Sequence, residues 1–455
     1  MADSPSPAVM WFRRDLRLAD HPALLAACSA AEDEGVLPLF VLDPALWGPA
    51  GPSRRAYLAE SLRALDESLD GNLTVLRGDP VHQVVRAARE VGASTVHVSA
   101  DFGPYGSRRD EQVEQALAEH DITLQRLGSP YAVAPGTVVN GSGEGYKVFT
   151  PFSRAWADHG WRAPADRPRR NQRWLTMKGV DLPSPRTPGS VSLPEAGEQA
   201  AHRRWHEFLD RGVKGYDDQR DRPGVDGTSR MSVHLKWGEM HPRTMLADIG
   251  RLRSEGASTY RTELAWREFY ADVLWRFPES ARKYFKPEFA GMEYDEPGDD
   301  LTAWTEGRTG YPIVDAGMRQ LRATGWMHNR VRMIVASFLV KDLHLEWQHG
   351  ARHFMHWLVD GDLASNQHGW QWVAGCGTDA APYFRVFNPT TQGEKFDPGG
   401  EYVRRWVPEL ADLETRYVHN PSEHPDGLPD GYPAPLVDHA EERREALARL
   451  ERMKK

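Results

Sequence analysis

Glu263, Trp266, Arg267 and Tyr270, in TELAWREFY, are spaced i, i+3, i+4 and i+7 and so share one helix face. A carboxylate beside an indole could hydrogen-bond the edge of a flat apolar ring while covering its face. The plainer reading is a Glu263–Arg267 ion pair beside buried aromatics. GWMHNRVRM reads the same way, with Trp326, Asn329, Arg330 and Met333 on one face and Arg332 next to them. DGDLASNQHGWQW carries Asp360, Asp362, Asn366, Trp370 and Trp372, whose plain reading is an acidic loop capping a helix with packed tryptophans. VDGTSRMS sets Gly227 before Thr228, Ser229, Arg230, Met231 and Ser232, either an anion cradle or a Ser/Thr cap. Trp304, Trp326, Trp347, Trp357, Trp370 and Trp372 crowd the same half of the chain. Buried indole N–H groups need partners, so this density points to a bound aromatic cofactor or to unstacked bases. His349, His353 and His356 share a face, but no His-Glu-x-x-His and no cysteine accompany them, and no metal is expected.

The elements that must position these groups fall into two kinds. β-rich runs at 8–12, 37–43, 73–79, 95–101 and 122–127 alternate with helical patterns, which implies a doubly wound parallel sheet. No Gly-x-Gly-x-x-Gly follows the first run, so a dinucleotide is not expected there. Ligands of such sheets sit beyond the strands' carboxyl ends, where Asp43 and Asp101 stand and Arg13 and Arg14 follow the first strand. Capping of the next helix is the alternative for both acids. A Pro/Arg/Gly/Ser-rich stretch then reads as a connector, and beyond it the chain is helical. The expected organisation is an α/β domain over 1–130, a connector over 131–200 and an all-α domain over 201–455.

At 455 residues, 40% hydrophobic and 27% charged, the composition is that of a soluble globular protein of two or three domains. Two cysteines exclude a disulfide framework and Cys-based zinc sites and fit a reducing cytoplasm. No signal peptide or membrane span is read. A net charge of −9 argues against wholesale coating of nucleic acid and permits a local basic face.

These segments resemble the photolyase/cryptochrome family over nearly the whole chain. The resemblance implies FAD, with Thr228 to Ser232 on its pyrophosphate and Tyr216 on the nucleotide. It sets Asp360 and Asp362 on the isoalloxazine edge and ribityl side with Asn329 and Arg332 as partners, and Asn366 facing flavin N5. Glu263, Trp266, Asn329, Met333 and Trp372 match the pyrimidine-dimer pocket. Arg220 and Arg385 lie on the DNA side. Trp370 and then Trp347 match an electron relay that reduces the flavin. At the relay's third position, where many relatives carry Trp, the chain has Tyr294.

The implied activity is that of a class I enzyme repairing cyclobutane pyrimidine dimers, as a monomer with no membrane partner. Reduced, photoexcited FAD passes an electron to a dimer flipped out of single- or double-stranded DNA. Plant-type cryptochromes carry Asp where this chain has Asn366, 6-4 photolyases a second His at Asn329, and DASH cryptochromes Gln at Met333. SRRAYL, ADFGPYG and HLKWG resemble binders of an 8-hydroxy-5-deazaflavin antenna, held by Asp43, Arg54, Asp101 and Lys236. Methenyltetrahydrofolate is the alternative antenna, and a blue-light signalling cryptochrome is the alternative function.

Overall fold

The structure, a computed structural model, describes residues 6–185, 191–378 and 384–454. The chain divides into two compact units. One comprises Met1–Thr187, Pro194–Lys214 and Ser229–Pro278, the other Pro188–Leu193, Gly215–Thr228 and Glu279–Lys455.

In the first unit, β1 (Ala8–Phe12), β2 (Val36–Leu42), β3 (Thr74–Arg77), β4 (Thr95–Val98) and β5 (Thr123–Arg126) form a parallel sheet ordered β3-β2-β1-β4-β5. β1 and β2 are buried along their whole length, as strands covered on both faces must be. Alternation divides their side chains between two cores. Ala8, Met10 and Phe12 join Leu24 and Leu62 on one face, while Val9 and Trp11 join Val84 and Val113 on the other. The covering helices are α1 (Pro22–Ala31), α2 (Pro52–Ser68), α3 (Pro80–Glu90) and α4 (Pro104–Ala118), each opening on a proline whose missing N–H has no intrahelical partner to lose. The unit also holds α5 (Phe149–His159), α6 (Ser232–Trp237) and α7 (Glu255–Arg276). α5 lies inside the stretch read as a connector, where its aromatic face was hidden among prolines and arginines.

The second unit is helical. Its core is built from α8 (Pro312–Thr324), α9 (Asn329–Lys341), α10 (Trp347–Trp357) and α11 (Leu363–Ala374). Gly325, left-handed at φ 65°, ends α8, and the His328 ring accepts from Arg330 N–H at 3.2 Å to start α9. Trp326 therefore lies in the turn between the two helices. The helical spacing read for Trp326 and Asn329 does not hold, because a glycine and a capping histidine break the helix between two apolar runs. Among the described residues no helix is long and apolar enough to cross a membrane.

His97 on β4 and His368 on α11 are buried, and burial lowers both imidazoles from 6.5 to about 4. The unfolded chain takes up these protons near pH 6.5 and the folded chain only near 4. Stability is therefore complete above 6.5 and is lost as pH falls towards 4, by roughly 2–3 kcal/mol per histidine at the acid end. Denaturant titrations at neutral and acid pH should show a shallower acid loss in a His97→Gln/His368→Gln variant than in the parent. An identical acid loss would assign it to other groups.

Candidate functional site

The sheet reverses its winding between β1 and β4, and a pocket opens there, lined by Arg13, Arg14 and Asp15 after β1 and by Ser99, Ala100 and Asp101 after β4. This is where an open α/β sheet takes a ligand. Burial alone would raise the Asp101 carboxyl, but Arg109, Arg13 and Arg14 outweigh it and hold it below the usual range. Asp101 also accepts from Gly103 N–H at 3.0 Å and from Arg109 at 3.2 Å. Asp43 stands one strand away. It caps Ala45 N–H at 2.9 Å and accepts from the Tyr105 hydroxyl, so capping and a side-chain contact coexist on Asp43, whereas the helix after Asp101 starts at Gly103 without a side-chain cap. Arg54, buried near the start of α2, is one turn before Tyr57, whose ring stacks on Trp237, the neighbour of Lys236. The Lys236 carbonyl accepts from Arg14 at 3.4 Å, which joins this corner to the β1 loop.

Further along this unit, Ser229 is buried between its hydroxyl contact with Tyr260, 2.8 Å, and the N–H of Met231, 3.3 Å. Its carbonyl accepts from Arg204 at 2.9 Å. Arg230 follows at φ 54°, an unusual conformation for a residue with a Cβ, and is exposed, as is Ser232 at the start of α6. On α7, Trp266 is half-buried and stacks on Phe149 of α5, with ring centroids 3.6 Å apart and planes 7° apart. Phe149 covers one face of the indole and braces it. Arg267 donates to the carbonyls of Pro130 at 3.1 Å and Leu235 at 3.3 Å.

In the second unit, Asp360 and Asp362 have separate tasks. Asp362 is the N-cap of α11, accepting from Ser365 N–H at 3.1 Å. Asp360 is buried, and one oxygen accepts from Arg332 at 2.8 Å while Oδ1 has no partner among the described residues. Arg332 is held in turn by the Met327 carbonyl at 2.8 Å. Asn366, buried on α11, donates its amide to the Ala351 carbonyl at 3.1 Å and to Gln367 at 2.8 Å, which leaves Oδ1 as its acceptor. Asn329 is exposed at the first position of α9, and Met333 and Trp372 are half-buried. Arg330 makes two contacts with Asp221, 2.8 and 3.3 Å. Tyr216 is buried below Arg220, whose guanidinium is 6.0 Å from the ring, while Arg385 is exposed. Gly227, where a Cβ would stand 2.6 Å from Gln219 Cβ, lets the chain pass close before Thr228.

Trp370 and Trp347 are buried, and neither indole N–H has a partner among the described residues. Trp370 lies over Gly350, one turn beyond Trp347 on α10, where a Cβ would come within 2.0 Å of the indole. Only glycine admits the ring, at a cost to the helix of about 1 kcal/mol. That mid-helix glycine, like the aromatic start of α5, was a usable signal that sequence reading passed over. Tyr284, also passed over, lies between Trp347 and Tyr294 (below).

Two family models match. DNA photolyase covers residues 8–169, and the FAD binding domain of DNA photolyase covers 260–452. A curated deoxyribodipyrimidine photo-lyase of Agrobacterium fabrum is 40% identical across 100% of both chains. The chain belongs to the DNA photolyase family.

Two solved structures agree with this photolyase fold. A bacterial class III photolyase from Agrobacterium tumefaciens superposes with a TM-score of 0.93 at 38% identity, covering 100% of this chain and 99% of its own. A Synechocystis cryptochrome gives 0.90 at 26% identity, covering 98% and 100%. The partnerless Oδ1 of Asp360 tests the match to a flavin. A buried carboxylate oxygen needs a donor, and FAD offers N–H and hydroxyl donors. The residues present fit the group.

Proposed function

We propose that this photolyase is a light-driven DNA repair lyase that splits cyclobutane pyrimidine dimers using FAD. The observation that carries the reading is Asp360, buried with one oxygen on Arg332 and the other awaiting a donor, at the head of the helix that bears Asn366 and Trp370. Bound, reduced FAD supplies the electron that opens the cyclobutane ring. The protein's residues bind and orient. Asp360 and Asp362, with Asn329, Arg332 and Asn366, hold the isoalloxazine and ribityl portions, and Tyr216 and Thr228 to Ser232 the nucleotide and diphosphate. Trp266, braced by Phe149, stacks on an unstacked pyrimidine, and Glu263 offers its carboxylate to the base edge. The family resemblance also gives dimer contacts to Asn329, Met333 and Trp372, and phosphate contacts to Arg220 and exposed Arg385.

The finer assignment to class I rests on Glu263, Asn329 and Met333, and that of a deazaflavin antenna on Asp43, Arg54, Asp101 and Lys236. The pocket at the β1/β4 reversal supports a ligand there, with methenyltetrahydrofolate as the other candidate. The relative solved from Agrobacterium tumefaciens is described as class III, so antenna identity is a necessary measurement.

Blue-light repair of a thymine-dimer oligonucleotide tests the function. Dimer reversal in light and none in the dark is expected, and its absence with fully reduced flavin would leave the signalling cryptochrome reading in its place. The action spectrum of protein from a deazaflavin-producing host should extend beyond that of FAD alone. Trp266→Ala should lose about 1–3 kcal/mol of base stacking, weakening lesion binding roughly 5- to 100-fold. Unchanged discrimination between damaged and intact DNA in that variant would remove Trp266 from the pocket.

A further inference from the structure

Tyr284 was not among the residues expected to act, yet it stands between two that were. Its ring meets the buried Trp347 edge to face, with centroids 6.2 Å apart and planes at 84°. On its other side it stacks on Tyr294, also at 6.2 Å, with planes 18° apart. Its hydroxyl donates to Glu346 Oε1 at 2.9 Å. Glu346 directly precedes Trp347, and its carboxylate makes no capping bond to α10. Tyr284, Tyr294 and Glu346 are all half-buried, and their neighbours Lys283, Glu293 and Asp295 are exposed, so the group lies at the edge of the core.

We propose that Tyr284, with Glu346 as its proton acceptor, is the residue that oxidising equivalents reach from Trp347, ahead of Tyr294. The inference rests on the assignment of Trp370 and Trp347 to the relay. One electron passes from the Tyr284 ring to the Trp347 radical cation, and the phenolic proton moves along the hydrogen bond to the Glu346 carboxylate. The products are neutral Trp347, a neutral Tyr284 phenoxyl radical and a protonated Glu346, which releases its proton to water. A small external thiol gives a hydrogen atom to the phenoxyl and restores Tyr284, the thiyl radicals pairing as a disulfide. Burial, together with the neighbouring Tyr294 and Glu346, pushes the Tyr284 phenol well above its ordinary value of 10. The phenol is thus protonated at neutral pH, and its oxidation requires somewhere for the proton to go.

The test uses the flavin-loaded protein, oxidised and flashed with blue light, read by transient absorption and by electron paramagnetic resonance. The parent should form a long-lived tyrosyl radical with a solvent deuterium effect on its appearance. Tyr284→Phe keeps the ring and its packing and should lose that radical. Glu346→Gln should lose the radical or delay it, and Glu346→Asp should restore it. Tyr294→Phe should retain a tyrosyl signal. A radical unchanged in Tyr284→Phe but absent in Tyr294→Phe would overturn the proposal. So would a radical in Glu346→Gln that matches the parent in yield and deuterium effect. Undiminished photoreduction in Trp370→Phe would instead overturn the relay assignment beneath it, and the two failures are thereby separate.

Discussion

Asp360→Ala should purify largely free of FAD. In the parent, Asp360 holds Arg332 at 2.8 Å with one oxygen and keeps the other, buried and partnerless, for a ligand donor. Alanine removes both at once. A hydrogen bond to a charged group contributes about 1.5–3 kcal/mol, so its loss weakens flavin retention roughly 10- to 100-fold. Arg332 also loses its anchor, though its hold on the Met327 carbonyl remains. Asp360→Asn keeps the shape and one acceptor and should retain an intermediate amount. The flavin-to-protein absorbance ratio after purification measures this, with thermal unfolding of the apoprotein as a check on folding. Full occupancy in Asp360→Ala would show that this loop does not hold the flavin.

Trp370→Phe should abolish light-driven reduction of oxidised flavin while leaving dimer repair intact once the flavin is reduced chemically. Trp370 is buried over Gly350 with its N–H unpartnered, so it contributes an oxidisable ring and no hydrogen bond. Phenylalanine fills much of the same space but is far harder to oxidise. Packing loss should be modest, about 1–2 kcal/mol, because an aromatic ring still covers Gly350. Trp347→Phe should slow photoreduction one step further out. Repair lost together with photoreduction would place Trp370 in the repair step or in folding.

Much of the site was legible because helical spacing and residue type together restrict what a segment can do. Buried parallel strands read as near-continuous apolar runs, so the sheet was visible before its order was. Asp360 and Asp362 looked equivalent two residues apart. Only the start of α11 at Leu363, just after Asp362, separates a helix cap from a buried carboxylate. Trp326 and Asn329 looked like neighbours on a helix until Gly325 and His328 divided them. The ring partners of Phe149 and Tyr284 were invisible for a different reason. Each of these two residues acts through a ring far away in sequence, at Trp266 and Trp347, and periodicity within one segment carries no information about such pairs.

By itself the sequence determined the alternation of strands and helices, the face shared by Glu263 and Trp266, and the family likeness. These are properties of local dihedral preference and of residue chemistry, which are written residue by residue. The tertiary structure alone decided that β1 and β4 adjoin to open a pocket, that one Asp360 oxygen stays buried without a partner among the described residues, and that Tyr284 lies between Trp347 and Tyr294. Those depend on which elements pack together. Packing is set by the summed shape and burial of many side chains, and no single stretch of the chain encodes that sum.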